Sequence, residues 1–187
     1  MKYEKLFLIV MFFAACLFLY TATVFSAEDK IEPVDYTDLK DMLPNKFRGF
    51  KRVDDFGGRK AMFGFRISQA EADYEGKRDG SIHISVIDFG SIKGIAGKAM
   101  VAWMSAEIDN KSDKGYERTT EYQGFKAFEK YSYQDKEGKL SVIVAERFLV
   151  DVEGERVEMK DIKKAMAGVD LKKMKKLKDF GVPEKWY

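Results

Sequence analysis

The sequence predicts an α+β fold. The prediction is a single domain with an antiparallel β-sheet of about five to seven strands, one buried apolar helix over about 94–108 packed on a face, and N- and C-terminal helices. Alternating apolar and polar residues recur in short segments, glycine-containing turn sequences join the later segments, and one stretch is apolar on nearly every side of a helix. Strands joined by tight turns pair antiparallel, and a helix without a polar face is buried.

The chain begins with a sequence typical of a secretory signal peptide over 1–27. A basic start precedes an apolar run, and a small-residue exit predicts cleavage after Ser26 or Ala27. Two alternatives remain open. The apolar span 6–25 has 20 residues, enough for an uncleaved inner-membrane anchor at about 1.5 Å per residue. Residues 13–16 loosely resemble a bacterial lipobox, in which the cysteine, here Cys16, would be lipidated. Each version predicts a periplasmic, secreted or membrane-attached bacterial protein.

The segment after the leader predicts a linker and then the start of the domain. Residues 28–34 are polar and predict the linker, so the single folded domain is predicted over 35–187. Apolar residues at helical spacing over 35–43 predict a helix that a proline ends. A first strand is predicted over 47–53. A turn is predicted at 54–58, where two aspartates and two glycines cluster.

The middle of the chain predicts further strands and the most apolar helix. One or two strands are predicted over 61–75, and clean alternation predicts another over 81–88, with isoleucine and valine facing inward. Segment 94–108 then places alanine, methionine, isoleucine and tryptophan on nearly every side of a helix. Such a helix is expected to be buried in the core or against a partner.

The second half of the chain predicts an antiparallel meander and a helical end. Four strands separated by turn sequences are predicted: 116–122, 125–133, 140–146 and 147–152. Residues 135–138 and 153–154 are among the predicted turns. Helical spacing follows over 159–167 and again from Asp170, within a basic C-terminal helical segment over 159–180.

Composition excludes several kinds of chemistry. Lys+Arg 33 against Asp+Glu 31 leave a net charge of +2, so no nucleic-acid partner is predicted. With Cys16 and His83 as the single cysteine and histidine, a disulfide framework and a Cys/His zinc site are excluded. Ser81 and Ser85 lie two positions from His83 on one strand, about 7 Å away, too far for a Ser–His pair. We therefore predict no catalytic, cofactor-binding or metal-ligating residue, and no cofactor.

Two groups of residues are candidates for contact with a partner. Residues 159–187 hold nine lysines against four acidic residues, a balance of +5, and one helical face carries five of the lysines: Lys172, Lys173, Lys175, Lys176 and Lys178. Such a helix contacts an anionic membrane surface or an acidic partner, or it packs on its own domain. Three tyrosines form a candidate aromatic binding face if the sheet leaves it uncovered: Tyr122, Tyr131 and Tyr133.

The leading functional hypothesis is an exported, non-enzymatic binding or structural module whose partner is an envelope protein or ligand. It depends on the predicted leader, the aromatic strands and the basic C-terminal segment. One alternative is membrane-surface association through that basic segment or through an uncleaved anchor. Another is a small carboxylate-dependent hydrolase, which needs two acids roughly 5–9 Å apart in a cleft.

Overall fold

The computed structural model describes residues 31–62, 65–76, 79–90 and 106–182. Ile31–Tyr187 forms one compact unit. The described helices, strands and buried core residues all lie within that unit. Since a domain folds around its own hydrophobic core, we expect this unit to fold without the first thirty residues.

A single antiparallel sheet dominates the described part of the chain. Its strands are β1 (Lys46–Phe47), β2 (Phe50–Met62), β3 (Phe65–Gly76), β4 (Ser81–Asp88), β5 (Asp109–Ser112), β6 (Gly115–Tyr122), β7 (Phe125–Ser132), β8 (Glu137–Val144) and β9 (Phe148–Glu155). Their order across the sheet is β1-β2-β3-β4-β9-β8-β7-β6-β5. Two meanders, β1–β4 and β5–β9, therefore join where β4 pairs with β9, with Ile84 opposite Val152.

The predicted fold class is wrong. The described residues form a nine-stranded sheet with three short helices, not a sheet of five to seven strands with a buried helix. One cause is the predicted turn at 54–58, which instead runs through the middle of β2. A Cβ at Gly57 would lie 2.7 Å from the Tyr36 ring and 2.9 Å from the Lys40 side chain. That glycine therefore makes room for a helix and does not turn the chain.

Two other segments account for the remaining difference in fold class. The polar stretch 110–114, between the predicted helix and the predicted strand 116–122, was expected to be a loop, but Asp109–Ser112 forms the edge strand β5, in which all four residues are exposed. A strand exposed on both faces has no alternating pattern by which to recognise it. Residues 94–105 of the predicted buried helix lie outside the described residues. Residues 106–108 are described, lead into β5 and are not helical.

Three helices cover one face of the sheet: α1 (Tyr36–Lys40), α2 (Met159–Gly168) and α3 (Leu171–Lys176). The Asp35 carboxylate caps α1 by accepting a hydrogen bond from the Thr37 N–H at 2.9 Å. Within the described ranges, no helix has the length and apolarity that crossing a bilayer requires.

The core lies between these helices and the face of the sheet that they contact, here called the covered face. One row of paired residues crosses this face, and all of its members are buried: Ala72, Ile84, Val152 and Leu140. The helices contribute buried apolar residues of their own: Leu39, Ile162, Ala165, Met166, Leu171 and Met174. Burial of these side chains, at roughly 1.5–3 kcal/mol for each large one, is the main term that stabilises the fold.

Candidate functional site

Helix α3 carries the basic residues that the sequence analysis selected. Its N-cap is Asp170, whose carboxylate accepts a hydrogen bond from the Lys173 N–H at 2.9 Å. Leu171 and Met174 are 2% and 0% exposed, so one side of α3 packs into the core of its own domain. The lysines of the predicted contact group are all exposed: Lys172, Lys173, Lys175 and Lys176 lie on the other sides of α3, and Lys178 follows its end.

The lysines of α3 differ from those of α2 in their charge partners. Each lysine of α2 lies within ion-pair distance of a carboxylate: Lys160 with Glu158, Lys163 with Glu129 and Lys164 with Asp161. Four lysines of α3 have no carboxylate partner among the residues that the structure describes: Lys172, Lys173, Lys175 and Lys176. Lys178 reaches the Asp179 carboxylate at 3.7 Å, and the Lys175 ammonium lies 5.8 Å from the centroid of the Phe125 ring. Helix α3 therefore presents positive charge that its own domain leaves uncompensated.

Two apolar side chains follow α3 in sequence and are also exposed. Phe180 is 45% exposed and Val182 is 44% exposed, which makes them two of the exposed large hydrophobic residues of the described chain. Basic residues next to exposed apolar side chains are the combination that peripheral membrane segments use.

The three predicted binding tyrosines lie at two different places. Tyr131 and Tyr133 lie together, with ring centroids 5.9 Å apart, and the Tyr116 ring lies 6.2 and 6.1 Å from them. Tyr122 lies at the other end of β6, and its hydroxyl donates to the Lys163 carbonyl at 3.1 Å.

The hydroxyls and burial of these tyrosines give them different roles. Tyr131 is 8% exposed, and its hydroxyl donates to the Val157 carbonyl at 2.9 Å. Tyr122 is half-buried beneath α2, whose backbone it holds. Tyr133 is 44% exposed. Two of the three tyrosines thus hold the backbone of α2 or of the segment before it, and Tyr133 is the one that a partner could reach.

A buried carboxylate, which the sequence analysis did not select, lies between β7 and the helices. The Glu129 side chain is 3% exposed, and it pairs with Arg118 at 2.8 Å and with Lys163 at 2.6 Å. The Tyr116 hydroxyl donates to the same carboxylate at 3.4 Å. Alternation along β7 places Glu129 on the same side as Ala127 and Tyr131. An acidic residue at an inward-facing strand position was the sequence signal for this cluster.

The cluster around Glu129 sets the protonation of its members. Burial alone would raise the pKa of the Glu129 carboxyl, but hydrogen bonds from Lys163 and Arg118 outweigh it, so the pKa lies below its ordinary value. Burial, followed by the charge of Glu129, raises the pKa of the Tyr116 phenol to about 12. At neutral pH Glu129 is therefore ionised and Tyr116 is protonated. The cluster joins β6, β7 and α2 as a fully paired structural network.

Replacing Glu129 by glutamine is expected to lower the free energy of unfolding at pH 7 by about 1–3 kcal/mol, because Arg118 and Lys163 lose their negative partner and one of its two acceptor oxygens becomes a donor. Because the pKa of Glu129 is lowered in the folded state, its ionised carboxylate stabilises the fold at pH values above the unfolded-state pKa of about 4.3. This stabilisation is lost as the pH falls through the folded-state pKa. The difference between wild type and Glu129→Gln should therefore shrink in acid. Urea unfolding between pH 7 and pH 3 measures it.

The matched control for this experiment is Glu117→Gln on the neighbouring strand. Glu117 is 37% exposed and lies 3.9 Å from the Lys130 ammonium, so its loss should change stability by less than about 1 kcal/mol. A difference between wild type and Glu129→Gln that stays constant from pH 7 to pH 3 would contradict the lowered pKa.

A second buried ion pair lies where β4 meets β9. The side chains of Arg147 and Asp88 are 3% and 0% exposed, and Nε and Nη2 of the arginine donate to the two carboxylate oxygens at 2.8 Å each. The Asp88 carboxylate also accepts hydrogen bonds from the N–H groups of Val34 and Gly90, both at 2.8 Å. Both oxygens of this buried charge are therefore satisfied twice.

The rest of the Arg147 guanidinium holds backbone from both ends of the domain. Its Nη1 donates to the carbonyls of Lys178 at 3.2 Å and Phe180 at 2.6 Å, and its Nη2 donates to the Glu32 carbonyl at 3.3 Å. We call Arg147, Asp88 and these carbonyls the terminal clasp. The clasp positions the segment that follows α3, because the Lys178 and Phe180 carbonyls of that segment accept hydrogen bonds from the guanidinium.

The opposite face of the sheet, which the described helices leave uncovered, carries His83. Its Nδ1 lies 2.7 Å from Oδ1 of Asp73, and the two side chains are 38% and 55% exposed. Ser81 and Ser85 share this face but make no hydrogen bond to His83 in the described structure. The described residues also contain no group of three or more histidine, cysteine or acidic side chains able to hold a metal ion.

An open depression of about 400 Å³ lies at the β5–β6 edge of the sheet. Lys111, Tyr116, Lys130 and Ser132 are among its lining residues, and Glu117 is its one carboxylate. Carboxylate-dependent hydrolysis needs two acids in one cleft. This depression therefore does not favour the hydrolase alternative.

The described chain is a nine-stranded antiparallel sheet protein, covered on one face by short helices, the last of which is basic. Comparisons with models of protein families, with curated proteins and with solved structures find no match. A function must therefore be argued from the chain's own geometry.

Proposed function

We propose that this protein is a non-enzymatic binding module of the bacterial cell envelope, which attaches to an anionic membrane surface through α3. The observation that carries the proposal is the exposed, unpaired lysine surface of that helix. The leader-like sequence over 1–27 supports the envelope location, because it predicts export across the cytoplasmic membrane.

The form of the lysine surface favours a lipid surface over an acidic protein. The apolar residues of α3 point into its own core, so the helix itself offers a partner charge but no buried anchor. Protein interfaces concentrate their affinity in central aromatic or aliphatic anchors. A bilayer rich in anionic headgroups needs only mobile positive charge and a few apolar side chains at its boundary. Phe180 and Val182 supply such side chains.

Vesicle co-sedimentation of the domain Ile31–Tyr187 tests the proposal. We expect binding to vesicles that contain anionic phosphatidylglycerol, weakening as salt is added, and little binding to phosphatidylcholine alone. Each lysine near an anionic surface contributes about 1 kcal/mol. Changing Lys172, Lys173, Lys175 and Lys176 together to glutamine should therefore weaken binding about a thousandfold.

The matched control changes four exposed lysines elsewhere to glutamine: Lys51, Lys111, Lys114 and Lys136. The net charge of the control equals that of the α3 variant, so a difference between the two reports the position of the charge. Absence of salt-sensitive binding, or equal loss in both variants, would reject the membrane-surface proposal. Turnover of a substrate that one carboxylate substitution abolishes would reject the non-enzymatic part.

A further inference from the structure

Strand β2 has a long edge that no described strand covers. Its inner side pairs with β3 from Phe50 to Met62, except at Val53, where the register shifts. Its outer side pairs with β1 through two residues, Lys46 with Lys51 and Phe47 with Phe50. From Val53 to Met62, no strand in the described ranges pairs with this outer side. An open edge of ten residues is a template for pairing with another chain.

The edge also exposes apolar side chains. Val53 is 53% exposed and Phe56 is 54% exposed, the two highest values among the exposed large hydrophobic residues of the described chain. Natural edge strands usually avoid pairing by being short or by carrying charge without apolar residues. The length of β2 and these two side chains point instead to an edge that is covered in solution.

Charges along this edge are arranged in mirror order about Gly57. Two aspartates, Asp54 and Asp55, precede it, and two basic residues, Arg59 and Lys60, follow it. When such a strand meets a second copy of itself running antiparallel, the acidic half of one copy lies opposite the basic half of the other. The occupant that complements this pattern is therefore the same strand.

The two faces of β2 differ in how far these charges are already paired. On the covered face, Asp55 pairs with Lys40 and Arg59 pairs with Asp35. On the opposite face, Asp54 and Lys60 have no ion-pair partner among the described residues. The Asp54 carboxylate accepts a hydrogen bond from the neighbouring backbone N–H, and the Lys60 ammonium donates to the Gln69 amide oxygen at 3.3 Å. The opposite face therefore offers one unpaired acid and one unpaired base for each copy.

We propose that β2 pairs antiparallel with β2 of a second copy of this chain, about a two-fold axis at Gly57. Opposed residues in an antiparallel ladder alternate between hydrogen-bonded and non-hydrogen-bonded pairs. A two-fold axis cannot exchange one type for the other, so it must pass through a pair in which a residue faces the same residue of the other copy. An axis at Gly57 places Asp54 of each copy opposite Lys60 of the other, and Phe56 opposite Gly58 of the other. An axis at Phe56 or at Gly58 places Asp54 opposite Gly58 or Met62, and both ion pairs are lost.

Analytical ultracentrifugation of the domain Ile31–Tyr187 tests this pairing. We expect the average mass to rise with concentration towards that of a dimer. Asp54→Lys or Lys60→Asp alone should raise the dissociation constant about ten- to hundredfold, because each places like charges opposite one another at two symmetric positions. Mixing the two single variants should restore a dimer, since the introduced lysine of one copy then faces the introduced aspartate of the other, and Lys60 of the first faces Asp54 of the second. The double variant Asp54→Lys/Lys60→Asp should also dimerise.

Asp109→Lys is the matched control, because it makes the same charge change on the opposite edge of the sheet, where Asp109 is exposed on β5. We expect it to leave the dimer intact. A domain that stays monomeric at its highest soluble concentration would overturn the proposal. So would equal dissociation by Asp109→Lys, or a mixture of the single variants that stays monomeric. These outcomes are independent of vesicle binding, which the lysines of α3 determine.

Discussion

Replacing Arg147 by methionine is expected to lower the free energy of unfolding by about 3–5 kcal/mol. The substitution leaves the Asp88 carboxylate charged and 0% exposed, without its bidentate partner. It also removes the donor that holds the carbonyls of Glu32 and Phe180. A buried charge without a partner is among the most destabilising changes that a single substitution makes.

A double variant separates the charge from the loss of packing. Asp88→Asn keeps an oxygen that can accept from the Val34 or Gly90 N–H, while removing the negative charge. Arg147→Met/Asp88→Asn should therefore recover about half of the stability lost by Arg147→Met alone. If the double variant is no more stable than the single one, the uncompensated charge is not the cause of the loss.

The matched control for Arg147 is Arg59→Met, which breaks an exposed ion pair. Arg59 and Asp35 are 53% and 41% exposed and lie 2.8 Å apart. Exposed pairs of this kind contribute about 0–1 kcal/mol, so the same chemical change should have little effect there. Urea unfolding of both variants, followed by circular dichroism, gives the comparison. Equal losses of stability in Arg147→Met and Arg59→Met would contradict the prediction that burial makes the Arg147–Asp88 pair the more stabilising of the two.

Replacing Phe148 by alanine is expected to lower the free energy of unfolding by about 3–5 kcal/mol. Phe148 is 0% exposed and is one of the largest fully buried side chains of the described chain. It lies at the start of β9, where it is opposite Asp88 of β4 and Val144 of β8. The Arg147 guanidinium carbon lies 5.3 Å from its ring centroid, so the cavity would also remove packing from the terminal clasp.

Two comparisons make the Phe148 prediction specific. Phe148→Leu conserves most of the apolar volume and should cost less than about 1.5 kcal/mol. Phe56→Ala removes the same atoms from a side chain that is 54% exposed, and at low protein concentration it should change stability by about 0.5 kcal/mol or less. Urea titrations of the three variants measure these differences. A loss from Phe56→Ala as large as that from Phe148→Ala would contradict the assigned core.

Local sequence patterns predicted the elements that local interactions form. The strands β6, β7, β8 and β9 lie close to the predicted segments, because turn sequences separate the first three and β7 and β9 alternate between the two faces. Helices α1 and α2 also follow their predicted spacing, and the lysines of α3 lie opposite its buried residues. The contact roles of those lysines and of the three tyrosines remain predictions that the proposed experiments address.

Turns were wrongly predicted at glycines that lie within a strand beneath a helix. Residues 153–154 were predicted to form a turn, but they lie inside β9. A Cβ at Gly154 would lie 2.5 Å from the Val157 side chain and 2.9 Å from the Ile162 side chain of α2. Gly57 is in the same position beneath α1. A glycine that makes room for a helix and a glycine that turns the chain look alike until the helix is placed.

Sequence alone determined the alternation of β7 and β9 and the amphipathic charge of α3, since each depends on residues close together in the chain. The prediction of a leader over 1–27 likewise depends on sequence alone. Tertiary structure alone decided that β4 pairs with β9, which brings Arg147 to Asp88 across 59 positions, and that Glu129 lies beneath Lys163. It also decided that β2 continues through its glycines to form an open edge. These features depend on distant segments meeting, and no local pattern records which segments will meet.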